Sequence, residues 1–130
     1  MSKEVSKRLV LLVEDDPFLH KVLSARLKEE GMNVAVAVDG EAALIDIAKL
    51  KPTLVLLDLI LPKKSGFEVL TELRKHPATE KLAVMVLSNL GQQEDIDQIR
   101  KLGVHEYLVK ADYALSDIVK KVQQHLATIV

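Results

Sequence analysis

Apolar runs that halt abruptly on acidic residues constrain this chain more than any other feature. Residues 9–13 (LVLLV) give way at once to Glu14, Asp15 and Asp16, and residues 54–57 (LVLL) run straight into Asp58. An uninterrupted apolar run of that length suits a strand buried on both faces, as in a parallel sheet; a half-exposed strand would alternate. Each run is followed by a segment of helical period. Asp16-Pro17 reads as a helix N-cap and first helical residue. Phe18, Leu19, Val22, Leu23 and Leu27 then recur at helical spacing up to Gly31, which fits a C-terminal cap.

The same alternation continues to the end of the chain. Residues 33–38 form a second strand, and after Asp39-Gly40 a helix carries Ala43, Leu44, Ile47 and Leu50 on one side until Pro52. Beyond the third strand, 61–66 is a loop broken by Pro62 and Gly66, and a helix from about 67 to 75 stops before Pro77. Strand 83–87, helix 92–102 with Gly103 as its cap, strand 106–109 and a last helix from about 115 complete the pattern. Five strands, each followed by a helix, predict an α/β three-layer sandwich with five helices around a parallel sheet. Right-handed crossovers favour the flavodoxin-like strand order 2-1-3-4-5, with one domain over 1–130 and a core of about 8–127.

In such sheets ligands bind beyond the carboxyl ends of the strands, at the switch point between strands 1 and 3. The polar residues of interest fall there. Strand 1 ends in Glu14-Asp15, strand 3 in Asp58, strand 4 in Ser88-Asn89 and strand 5 in Lys110. Two unit charges about 4 Å apart interact by roughly 4 kcal/mol at an effective dielectric of 20. Three carboxylates gathered there repel unless a cation joins them, and Mg²⁺ accepts such oxygen ligands together with a substrate phosphate. Each residue also has a plainer reading: Asp16 as a cap, Ser88 in a turn, Lys110 solvated, Tyr107 a half-buried aromatic. Taken together, a metal beside a carboxylate, facing a hydroxyl and a lysine, can receive a phosphoryl group, with Asp58 as nucleophile.

Composition removes other classes. With 18 basic against 19 acidic residues, a net charge of -1 and a pI near 6.4, no basic surface for nucleic acid is expected. The absence of Cys excludes disulfide, thiolate and Fe–S chemistry. No apolar run approaches the roughly 20 residues of a membrane helix. The polar start, 1–7, lacks the apolar segment of a secretory signal, so a cytoplasmic location is expected. The histidines at 20, 76, 105 and 125 are scattered without metal-ligand spacing and read as surface positions.

The stretches LLVEDDP at 11–17, LVLLDLILPKKSGFEVL at 54–70, VMVLSN at 84–89 and YLVKAD at 107–112 resemble the receiver domain of two-component response regulators. That resemblance implies Asp58 as phosphoacceptor, together with Lys110 and the hydroxyl of Ser88. It makes Glu14 and Asp15 the acidic pair, with Asp15 and the backbone carbonyl of Ile60 as Mg²⁺ ligands beside Asp58. Tyr107 would be the aromatic switch that acts with Ser88. The implied donor is a phosphohistidine on a sensor histidine kinase or phosphotransfer protein. The implied output is a reshaped face of the fourth helix, fifth strand and fifth helix, which meets a downstream protein rather than nucleic acid or membrane.

The chain departs from the family pattern at Lys110-Ala111, where Pro commonly follows the lysine through a cis bond; a trans bond is expected before Ala. Ser88 replaces the commoner Thr and keeps the donor. Ile60 and Leu90, each two positions past a site residue, are apolar, and residues 103–107 lack the Asp-Asp typical of winged-helix regulators. A haloacid-dehalogenase-type phosphatase would need a second acid where Ile60 stands. A flavodoxin would need a hydroxyl-rich loop in place of Glu14-Asp15-Asp16. A pseudo-receiver serving as an interaction module would usually have lost Asp58 or Lys110.

Overall fold

The computed structural model describes residues 8–129; the polar start at 1–7 and the last residue of the expected domain lie outside that range. Five strands, β1 (Leu9–Val13), β2 (Asn33–Ala37), β3 (Leu54–Leu57), β4 (Ala83–Ser88) and β5 (Glu106–Val109), form one sheet of order β2-β1-β3-β4-β5. All four pairings are parallel. The helices are α1 (Pro17–Glu29), α2 (Gly40–Leu50), α3 (Gly66–Lys75), α4 (Gln93–Lys101) and α5 (Leu115–Thr128), with a short 3₁₀ turn at Lys110–Asp112. This is the flavodoxin-like three-layer arrangement expected from the alternating periods.

The apolar runs split by parity, because successive strand side chains point to opposite faces. Leu11, Val13, Val55, Leu57, Val84 and Val86 pack with Ala43, Ile47, Val69, Leu73 and Ile99 of α2, α3 and α4. Val10, Leu12, Leu54, Leu56, Met85 and Leu87 pack with Leu23, Leu27, Ile118 and Val122 of α1 and α5. Each fully buried Leu or Ile contributes roughly 1.5–3 kcal/mol of burial free energy, so two such layers hold the sheet rigid under its rim.

Helix starts follow side-chain chemistry. Asp16 caps α1, accepting from the amides of Phe18 (3.0 Å) and Leu19 (3.3 Å). Asp39 does the same for α2 from Ala42 (2.7 Å). Ser65 and Glu68 form a capping box that starts α3 at Gly66, within the stretch read from sequence as loop.

Three expectations need correction. Phe18 is 76% exposed, because it stands in the first turn of α1, about 100° around the helix from the Leu19–Leu23–Leu27 line that meets the sheet. Leu50 is 41% exposed: it is the last residue of α2, and the chain turns away through Lys51 at φ 50. Val38 lies beyond the end of β2 and is exposed. Among the described residues there is no cis peptide bond, in agreement with the trans bond expected at Lys110-Ala111.

Candidate functional site

The sheet register sets the site. Val13 pairs with Leu57 where β1 and β3 end, so Glu14 and Asp58 are the next residues out on adjacent strands. Their backbones continue the ladder for one more step, Glu14 N donating to the Ala37 carbonyl (3.0 Å) and Asp58 N to that of Val13 (3.1 Å). On the other side Ser88 pairs with Val109, and Lys110 follows immediately. Four strands therefore deliver their polar residues to one rim, at the point where the strand order reverses.

Lys110 joins the acids. Its Nζ lies 2.7 Å from Glu14 Oε1 and 2.8 Å from Asp58 Oδ2. Both carboxylates are buried, Glu14 at 1% and Asp58 at 4% exposure, whereas Asp15 is exposed. Burial pushes the Glu14 carboxyl above its ordinary value, opposed by its bonds from Lys110 and from the Asp16 amide (3.1 Å). Burial alone would lower the Lys110 ammonium, but the bonds to Asp58 and Glu14 outweigh it and raise it. The second Asp58 oxygen, Oδ1, accepts from the amide of Ile60 at 3.1 Å. Neither the carboxylate's fixed orientation nor this partner is visible in the sequence.

Gly66 permits the turn that follows Asp58. Its amide donates to the Leu59 carbonyl (2.9 Å), and a Cβ there would lie 2.4 Å from the Asp58 carbonyl oxygen. Any larger residue would push the first turn of α3 off the peptide that carries Asp58.

Carboxylate oxygens of Glu14, Asp15 and Asp58 lie within 4.8 Å of one another. Three carboxylates against one ammonium leave two formal negative charges. An all-oxygen donor set with one solvent-facing member fits a hard divalent cation that keeps part of its water shell. Ser88 is fully buried, and its Oγ accepts from the Leu90 amide at 3.4 Å. Tyr107, whose plainer reading is a half-buried aromatic, is 8% exposed, and its hydroxyl donates to the Leu90 carbonyl. The ring therefore stands inward, tied to the β4–α4 loop. Burial, with the charges of Asp95 and Asp58, raises its phenol above the ordinary range.

The histidines are less scattered than their spacing implies. The rings of His105 and His125 meet edge-on at 5.9 Å between centroids, and His125 Nε2 is 2.6 Å from Glu106 Oε1. Glu106 also accepts from Lys121 at 2.8 Å.

A lysine bridging buried acids at the switch point of a five-stranded doubly wound sheet is the build of a signalling receiver. The chain belongs to the response regulator receiver domain family, whose model matches residues 10–123. It is 38% identical over 101 residues to the DNA-binding dual master transcriptional regulator RpaA of Synechocystis, which covers 78% of this chain and 42% of RpaA. Thus it spans less than half the length of that relative. Among solved structures, the phosphorylated cyanobacterial phytochrome response regulator RcpA superposes with a TM-score of 0.83 at 30% identity, covering 95% of this chain and 96% of that one. The Mn²⁺-bound form of response regulator Rcp1 superposes at 0.80 with 32% identity, covering 95% and 97%. Receivers of this family are switches that bind divalent cations at an acidic cluster and interact with histidine kinases and downstream effectors. Among the described residues no helix is long and apolar enough to cross a membrane.

Proposed function

We propose that Asp58 is the phosphoacceptor, taking its phosphoryl group from a phosphohistidine on a sensor histidine kinase or phosphotransfer protein. The observation that carries this reading is the Lys110 ammonium held on both buried carboxylates with Asp15 exposed beside them. A carboxylate oxygen of Asp58 attacks phosphorus. The new O–P bond forms as the P–N bond to imidazole breaks, and the leaving nitrogen keeps the electron pair and takes up a proton. Lys110 offsets charge on the transferred group, and the Ser88 hydroxyl donates to one of its oxygens.

Asp15, Asp58, Glu14 and the backbone carbonyl of Ile60 would hold Mg²⁺, which when bound neutralises charge on the phosphoryl oxygens. With apolar Ile60 where a phosphatase would place its second acid, the chemistry is limited to Asp58's own phosphorylation and dephosphorylation. That makes the protein a switch rather than an enzyme acting on an external substrate.

The output reading assigns the face of α4, β5 and α5 to a downstream protein. What supports it is Tyr107, whose hydroxyl joins β5 to Leu90 in the loop that follows Ser88, the last residue of β4. Because the inward ring is an arrangement the fold already adopts, phosphorylation acts by stabilising it. On this reading residues 1–130 make up one receiver domain working in the cytoplasm, with contacts to proteins and none to nucleic acid or membrane.

Mass spectrometry after incubation with acetyl phosphate and Mg²⁺ tests the assignment. The wild type should gain one phosphoryl group and Asp58→Asn none, since an amide oxygen is a far poorer nucleophile than a carboxylate. Label persisting at wild-type level in Asp58→Asn would overturn it.

A further inference from the structure

We propose that Gly40, the first residue of α2, is a positioning residue for the phosphoacceptor loop; the inference rests on the reading of Asp58 given above. The loop between β3 and α3, residues 58–65, carries Ile60, whose amide holds Asp58 Oδ1 and whose carbonyl is a metal-ligand candidate. Two residues further on, the chain turns tightly at Pro62, Lys63 and Lys64. Lys64 N donates to the Pro62 carbonyl (2.8 Å), and Lys63 sits at φ 68. That turn is laid directly against the start of α2. Gly40 N donates to the Pro62 carbonyl at 3.3 Å, and Lys63 Nζ lies 3.7 Å from Oδ2 of Asp39, the α2 cap.

The approach is too close for any side chain. A Cβ on Gly40 would lie 2.0 Å from the Lys64 carbonyl oxygen, 2.6 Å from its carbonyl carbon and 2.6 Å from its Cβ. Two of these three atoms are backbone, so no rotamer change relieves the overlap. Backbone conformation is not the reason for glycine here. Gly31 and Gly103 have φ of 90 and 76, and an added Cβ at either meets nothing within 4 Å; Gly40 has no positive φ and no free space. Alanine is also the better helix former, so α2 by itself would favour it. What glycine permits at this position is the seating of the loop.

The chain of contacts then runs from Gly40 to Pro62 and along the loop to Ile60 and the Asp58 carboxylate. Gly66 closes the other end through its amide on the Leu59 carbonyl. A loop pinned at both ends holds the Ile60 peptide with its amide on the carboxylate. Supporting contacts of this kind typically set metal affinity by about 10–100-fold. Gly40 touches none of the reacting groups and acts only through the loop.

The test compares wild type with Gly40→Ala on three readouts: Mg²⁺ affinity by NMR titration, exchange of the Ile60 amide in metal-free protein, and phosphorylation by acetyl phosphate at saturating Mg²⁺. Expected are Mg²⁺ binding weakened about tenfold or more, faster Ile60 exchange without faster exchange in β1 and β3, and slower labelling. Adding Lys64→Gly removes one of the three overlaps and loosens the turn, and should restore part of the affinity. Wild-type affinity and Ile60 exchange in Gly40→Ala would overturn the proposal. A uniform rise in exchange throughout the sheet would overturn it too, because Gly40 would then serve stability alone. If Gly40→Ala does not fold, the double variant decides: a folded double variant with weakened Mg²⁺ binding supports the contact, and one that also fails to fold overturns a positioning role. Failure of the wild type itself to take up label would instead defeat the reading of Asp58, whatever Gly40 does.

Discussion

Lys110 and Asp15 answer the same excess of negative charge from opposite sides. Lys110 is a buried counter-ion, 2.7 Å and 2.8 Å from two carboxylates that water barely reaches. Asp15 is exposed and adds charge that only a bound cation would relieve. Their substitutions should therefore separate. Lys110→Met leaves the buried Glu14 and Asp58 carboxylates without their counter-ion, each keeping only a backbone amide, and should cost roughly 1–3 kcal/mol in urea unfolding without Mg²⁺. Asp15→Asn should leave that stability within about 0.5 kcal/mol, as for other exposed positions. It should weaken Mg²⁺ binding, read as a smaller rise of Tm with millimolar Mg²⁺. Equal Mg²⁺ responses in wild type and Asp15→Asn would remove Asp15 from the cation site.

Elements whose ends are set by side-chain chemistry were legible from sequence, and those set by through-space approach were not. The apolar runs, the Asp16-Pro17 start of α1 and the Gly31 and Gly103 caps follow from local pattern, and the structure has them. The polar strand ends converge because parallel register must carry Glu14, Asp58, Ser88 and Lys110 to one rim once the order is 2-1-3-4-5. The contact of Gly40 with the 62–64 turn and the inward Tyr107 depend on approaches between separate segments, and the Ile60 amide on Asp58 and the close fit at Gly66 depend on the path of an irregular loop; no periodicity encodes either. The capping box Ser65-Gly66-Phe67-Glu68 was readable, but Pro62 and Gly66 made residues 61–66 look like loop throughout.

The two loops that follow β3 and β4 yield a further prediction. Ile60 is 54% exposed at the rim and Leu90 is half-buried, so neither offers a polar group to orient water for attack on a phosphoryl at Asp58. Leu90 makes its hydrogen bonds with Ser88 and Tyr107 through backbone atoms, so its side chain can be changed without removing those bonds. Ile60→Asn with Leu90→Glu should shorten the lifetime of the phosphorylated form, followed by the decay of intact mass after removal of the phosphodonor. An unchanged decay would mean that water reaches phosphorus by a route these side chains do not control.

At the scale of the whole molecule, two apolar layers hold the helices to the sheet, and polar clips between elements tune how stability responds to conditions. One such clip joins β5 to α5: Glu106 of β5 accepts from Lys121 (2.8 Å) and lies 2.6 Å from His125 Nε2, both residues of α5. Burial disfavours the charged Glu106 carboxylate, but the bonds from Lys121 and His125 outweigh it. The group therefore titrates below its ordinary 4.5 in the folded protein. A carboxylate whose folded pKa is depressed contributes stability that is fully present above the unfolded value and is lost as the pH falls through the folded one. Glu106→Gln keeps the shape and removes the titration. Urea midpoints of variant and wild type should therefore differ at pH 7, with the wild type more stable, and converge as the pH is taken well below 4. A gap that stays constant between neutral and acid pH would show that Glu106 holds α5 by packing and neutral hydrogen bonds, not by its charge.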